Sequence, residues 1–158
     1  MVRHSAVVFE SSGVDLNQLG ALARRMARAL RAGDLVFLEG PLGSGKTAFV
    51  RALGEALEVR DPVRSPSFTL ANIYRGRMVL QHLDLYRLVE VGQEDALALE
   101  EYISEDAVTV VEWPAVGAER LGKPTWTVRL DHESPETRWV QIEATTDEAR
   151  TRWEEAGV

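Results

Sequence analysis

The segment Gly40-Pro41-Leu42-Gly43-Ser44-Gly45-Lys46-Thr47 constrains this chain more than any other. It spells G-x-x-x-x-G-K-T, a loop whose backbone N–H groups turn inward around phosphate oxygens while the lysine reaches the terminal phosphates and the hydroxyl takes Mg²⁺. So tight a ring of amides needs positive φ values and leaves no room for a Cβ beside the phosphates, hence the glycines. The motif has meaning only between a strand and a helix. Residues 34–39 supply a short apolar, β-prone run between Gly33 and Gly40; after Thr47, the residues Phe49, Val50, Leu53 and Leu57 recur at helical spacing. The helix N-terminus then aims its partial positive charge at the same phosphates. Phosphate contacts are expected from Gly43, Ser44, Gly45, Lys46, Thr47 and Ala48, with Thr47 also reaching the metal.

A chain of 158 residues, 45% apolar and 27% charged, fits one globular domain spanning 1–158. Its net charge of −7 gives no general attraction to polyphosphate, so any role with nucleic acid is expected to pass through another protein. Cysteine is absent, which excludes disulfides, thiolate catalysis and thiolate-bound zinc. His4, His82 and His132 lie far apart with no paired spacing, so a histidine metal site is not expected. No apolar run approaches a membrane span and the N-terminal apolar stretch is too short for a signal peptide, so the expected location is cytoplasmic.

In chain order, Ala6-Val7-Val8-Phe9 reads as a strand and Ser11-Ser12-Gly13 as a turn. A helix is expected over 15–31, with Leu16, Leu19, Ala23, Met26 and Leu30 on one stripe and Arg24, Arg25, Arg28 and Arg31 on a solvated basic face, or else a docking face for an acidic partner. The loop 61–67 leads into a strand over 68–74, a hairpin turn at Arg75-Gly76-Arg77 and a return strand over 78–84. A short helix is expected within 92–103, packed in the core. Residues 107–111 are almost wholly apolar, the pattern of a strand buried on both faces. Strands over 125–131 and 137–144 and a helix over 146–155, with Trp153 docked inward, complete the reading. The fold class is α/β: a three-layer P-loop NTPase sandwich with parallel core strands and antiparallel strands added at the edges.

A phosphate loop needs an acidic partner on a neighbouring strand tip to hold Mg²⁺ from the protein side. Asp84 and Glu112 each close a strand. One division puts Glu112 on the metal, directly or through a water, and Asp84 on the attacking water; the roles are exchangeable on this evidence. Ser65-Pro66-Ser67 offers a hydroxyl, Ser67 above all, on a loop placed to sense the γ-phosphate. Trp113 either walls the nucleotide or packs in the core. Arg87 either pairs with a carboxylate or contacts a phosphate.

Taken together, G-P-L-G-S-G-K-T, S-P-S-F-T-L, H-L-D-L-Y-R-L and V-E-W-P, in this order, resemble the TsaE (YjeE) family, the bacterial ATPases needed to make threonylcarbamoyladenosine in tRNA. The resemblance implies that Lys46 and Thr47 engage the β- and γ-phosphates and Mg²⁺, that Glu112 is the second protein contribution to the metal, and that Asp84 serves hydrolysis. It also implies a switch-like role for the Ser-Pro-Ser loop, where Ser67 stands at a position usually threonine. The partners implied are the TsaB–TsaD pair, with tRNA met only indirectly and ATP hydrolysis weak in isolation.

Two other functions compete. A small-molecule or nucleoside kinase shares the phosphate loop, but no arginine-rich lid segment is evident. A nucleotide-sensing module without useful turnover is the other. No guanine-reading Asn-Lys-x-Asp or Thr-Lys-x-Asp segment occurs, which favours ATP over GTP.

Overall fold

The computed structural model describes residues 4–60, 71–85, 103–113 and 121–157. Among these the elements run β1 (Ala6–Val14), α1 (Leu16–Ala29), β2 (Leu35–Glu39), α2 (Lys46–Ala56), β3 (Ala71–Arg75), β4 (Val79–Asp84), β5 (Ala107–Glu112), β6 (Trp126–His132), β7 (Arg138–Ala144) and α3 (Asp147–Ala156). The strands form one seven-stranded sheet in the order β1-β7-β6-β2-β5-β4-β3. Strands β6, β2, β5 and β4 are mutually parallel. The β1–β7, β7–β6 and β3–β4 pairings are antiparallel. The phosphate loop therefore leaves the sheet from β2 with a parallel strand on either side, where α/β folds gather their ligands.

Alternation of side chains sorts the sheet into two apolar faces. Val36, Leu38, Leu80, Val108, Val110 and Val128 pack with residues of all three helices, including Met26, Phe49 and Trp153. The opposite face carries Leu35, Phe37, Leu83 and Val111, packed with Leu85 and Leu121. β5 is buried along its whole length, which is why its sequence shows no polar alternation. No helix among the described residues is long and apolar enough to cross a membrane.

Several expectations need correcting. Ser11-Ser12-Gly13 is not a turn but the continuation of β1, paired to β7 through Ser11 and Val140, with a register shift before Val14 pairs with Arg138. An outer strand has one face and one edge in solvent, so it tolerates this polar run, and Gly13 at φ 67° absorbs the irregularity. Leu16, placed on the apolar stripe, is 57% exposed. It opens the helix, and its side chain leans back beyond the core. The stripe begins at Leu19. Ile103 is also exposed and outside any helix. The rest of the helix expected within 92–103 lies outside the described residues, as do Ser65, Pro66, Ser67, Arg87 and residues 68–70.

On the basic face of α1, Arg24, Arg28 and Arg31 are exposed as expected, but Arg25 and Arg28 are engaged by α3. Arg25 donates from Nε and Nη2 to the carbonyl of Trp153 at 3.1 and 2.9 Å, and its guanidinium lies 4.2 Å from the Trp153 ring centre. Arg28 Nε donates to the carbonyl of Ala156 at 3.0 Å. α3 has no basic residue in its last turn, so arginines of α1 satisfy its terminal carbonyls and oppose its dipole.

At the opposite end of the sheet from the phosphate loop sits a polar knot. Asp34, 7% exposed, accepts from Arg152 Nη1 at 2.8 Å, Trp126 Nε1 at 3.1 Å and the Arg31 N–H at 3.0 Å. Arg152 Nη1 also donates to the Ala29 carbonyl at 2.8 Å. The end of α1, the start of β2, β6 and α3 are thus joined through one carboxylate.

Candidate nucleotide-binding site

The phosphate loop connects β2 directly to α2, whose first residue is Lys46. Gly40, Gly43 and Gly45 have φ of 157°, 77° and 112°. A Cβ on Gly40 would stand 2.6 Å from the Leu130 carbonyl oxygen and 2.7 Å from Ser44 Oγ, so the loop can lie this close to β6 only with glycine there. Behind Gly45 the space is filled by Leu19 and Arg138, a Cβ there standing 3.1 and 3.2 Å from them. From the tip of β6, His132 Nε2 donates to the Leu42 carbonyl at 2.8 Å and so ties the outer part of the loop to the sheet.

A cleft of about 220 Å³ opens beside the loop, lined by Leu42, Gly43, Gly45, Lys46, Thr47, Ala48, Asp84, Glu112 and Trp113. Of the residues expected from sequence, it brings together Gly43, Gly45, Lys46, Thr47, Ala48, Asp84, Glu112 and Trp113. Ser44 is fully buried next to it. Asp84 and Glu112 are direct partners in the parallel register of β4 and β5, so both carboxylates project on the same face. That face is the one α2 packs against.

Lys46 is 5% exposed and its Nζ has no hydrogen-bond partner. It stands 3.7 Å from Glu112 Oε1 and 4.1 Å from the centre of the Trp113 ring. Burial lowers its pKa from the ordinary lysine value of 10.5, with Glu112 and Asp84 opposing the shift. Ser44 Oγ is likewise buried without a partner. A buried ammonium without a hydrogen bond beside a glycine cradle suits an incoming oxyanion. Trp113 is half-buried, lines the cleft and packs on the second apolar cluster. Its φ of 57° is a left-handed value that costs a bulky residue roughly 1–2 kcal/mol, and it turns the chain at the end of β5.

No group of three His, Cys, Asp or Glu side chains that could hold a metal occurs among the described residues. The residues present suit Mg²⁺ all the same, because that ion binds through one or two carboxylates together with substrate phosphates and retained waters. Thr47 and Glu112 are the protein groups on hand, with Asp84 beside them.

Sequence reasoning missed two side chains. His82, fully buried in β4, meets Glu112 Oε2 through Nε2 at 2.5 Å, and His132 holds the loop. The signal for His82 was present: it stands two residues before Asp84, so strand alternation puts both on one face.

Comparison with known proteins fits this geometry. The family model described as "Threonylcarbamoyl adenosine biosynthesis protein TsaE" matches residues 14–140. The chain belongs to the TsaE family. Among relatives named "tRNA threonylcarbamoyladenosine biosynthesis protein TsaE", that of Streptomyces coelicolor is 39% identical over 141 residues, covering 87% of this chain and 95% of the relative. The one from Mycobacterium bovis is 39% identical over 122 residues, with 72% and 73% covered. The one from Bacillus subtilis is 31% identical over 132 residues, with 83% and 82% covered. A solved structure described as "Crystal structure of Bacillus subtilus YdiB" superposes with a TM-score of 0.79 at 26% identity, covering 99% of this chain and 97% of that one. The TsaE family serves the biosynthesis of threonylcarbamoyladenosine in tRNA and has the P-loop nucleotide-binding fold, with the parallel core and antiparallel edges seen here.

Proposed function

We propose that this TsaE-family chain binds ATP with Mg²⁺ in the cleft beside the phosphate loop and hydrolyses the γ-phosphate. The hydrolysis would support the TsaB–TsaD pair in forming threonylcarbamoyladenosine on tRNA. The observation that carries this reading is Lys46: a buried ammonium without a hydrogen-bond partner, between a glycine cradle and two carboxylates on adjacent strand tips.

In this reading the amides of Gly43 to Ala48 surround the β- and γ-phosphate oxygens and the N-terminus of α2 adds its dipole. Lys46 Nζ moves from the Glu112 side of the cleft onto those oxygens, which return the favourable environment that burial withdraws. Thr47 Oγ1 and Glu112 would hold Mg²⁺, which would supply positive charge to offset that developing on the transferred phosphoryl group. Asp84 orients the attacking water by accepting one of its hydrogens. Trp113 walls the site and excludes bulk water, while Ser67 remains the proposed γ-phosphate sensor. The chain's net charge of −7 accords with reaching tRNA only through partner proteins.

The test is ATP turnover by this chain alone and with its TsaB–TsaD counterpart, scoring inorganic phosphate. A large increase on adding the pair supports the proposal. Turnover that ignores the pair overturns the link to TsaB–TsaD, and delivery of phosphate to a small molecule instead of water overturns hydrolysis in favour of a kinase.

A further inference from the structure

The contact between His82 and Glu112 lies outside the roles assigned above. Resting on the reading that Glu112 faces the metal, the geometry points to His82 as a positioning residue: its Nε2–H clamps Glu112 Oε2 so that Oε1 is presented to the cleft and held back from Lys46.

Glutamate has three side-chain torsions, and fixing them costs rotamer freedom. A carboxylate meant for a metal must be held by something stiffer. His82 has two torsions, is fully buried, and sits mid-strand in β4, hydrogen-bonded to β3 on one side and β5 on the other. Its Nε2 reaches one oxygen of Glu112 at 2.5 Å, and the other oxygen faces Lys46 Nζ at 3.7 Å. At that separation the lysine and the glutamate attract each other as an ion pair without forming a hydrogen bond. Without His82, nothing among the described contacts of Glu112 would stop the carboxylate from swinging onto the lysine, which would occupy both groups at once.

The proton can be placed from the hydrogen bonds alone. Glu112 as a carboxylate only accepts, so His82 Nε2 must donate. His82 Nδ1 is buried with no partner. Nε2 therefore carries a proton. A histidine that merely filled the core could carry its proton on either nitrogen. This one is committed, and its commitment serves a carboxylate in the cleft.

The experiment uses the full chain with a non-hydrolysable ATP analogue and Mn²⁺ in place of Mg²⁺, reading metal affinity by electron paramagnetic resonance. His82→Leu removes the donor, and His82→Gln returns an N–H donor at nearly the same place. His82→Leu should weaken Mn²⁺ about tenfold, the usual loss when a residue that orients a ligand is removed. His82→Gln should stay close to the parent. Combining His82→Leu with Glu112→Gln should be no worse than Glu112→Gln alone, since His82 acts through Glu112. Parental affinity in His82→Leu, or His82→Gln as weak as His82→Leu, would overturn the assignment while leaving the metal reading intact. Parental affinity in Glu112→Gln would instead overturn the metal reading, and the role of His82 with it. Nitrogen-15 spectroscopy of the unmutated protein tests this without any variant: a protonated Nε2 is expected, and a bare Nε2 overturns the proposal.

Discussion

Lys46 shows most directly how single atoms in this protein are set for a ligand. Its ammonium is buried beside Glu112 and Trp113 but hydrogen-bonded to neither, an arrangement that works against the empty fold and in favour of the occupied one. Lys46→Ala should abolish ATP binding by titration calorimetry while leaving the protein folded. Glu112→Ala should chiefly weaken Mg²⁺-dependent turnover, with metal-free nucleotide affinity close to the parent's, checked by titrating Mg²⁺ against hydrolysis. The sign of the pH effect also follows. Burial lowers the Lys46 pKa, so between that lowered value and 10.5 the unfolded chain binds more protons than the folded one. Stability attributable to this group is therefore least at lower pH and rises as pH climbs through the window. The urea midpoint of the parent should gain on that of Lys46→Met over this range, and a constant difference would refute the assignment. The phosphate-loop residues were legible because their spacing is a local pattern. Strand alternation gave the face of His82, but its partner and that of His132 were not legible, because each acts across the fold: one on Glu112, thirty residues on, and the other on Leu42, ninety residues back.

At the scale of elements, α1 carries a complete N-terminal lock. Asp15 accepts from the Gln18 N–H at 2.8 Å and Gln18 Oε1 accepts from the Asp15 N–H at 2.9 Å, satisfying two donors the helix leaves open. Asp15→Ala should cost about 1 kcal/mol, read as a lowered denaturation midpoint with nucleotide affinity retained. Periodicity recovered both long helices and the strands of the sheet, since each has one apolar face or is wholly buried. It failed on residues 11–14, where β1 is held by pairing to β7 rather than by a buried side-chain pattern, and on Arg25 and Arg28, whose partners are backbone carbonyls of a helix more than a hundred residues away. Propensity and spacing register what a segment does to itself. They do not register what a distant segment asks of it.

For the molecule as a whole, the knot at Asp34 joins the end of α1, β2, β6 and α3. Asp34→Ala would leave buried Arg152 with only the half-exposed carboxylate of Glu148, 3.4 Å from its Nε, a loss of up to about 3–5 kcal/mol that should appear as a fall in the urea midpoint. Adding Arg152→Met to that variant should recover part of the loss, because the stranded charge is then gone; no recovery would mean that the pair serves packing alone. The far end of the sheet, by contrast, depends on a single alignment. Asp84 faces the cleft beside Glu112 only while β4 and β5 keep their present pairing. A slip by one step would send one acid to the reverse side, among Leu83 and Val111, and leave its counterpart solitary. Such a molecule would look normal in far-ultraviolet circular dichroism and yet be inert. The alignment of two neighbouring strands behaves like the tumblers of a lock, with failure silent to any probe that counts only helix and sheet.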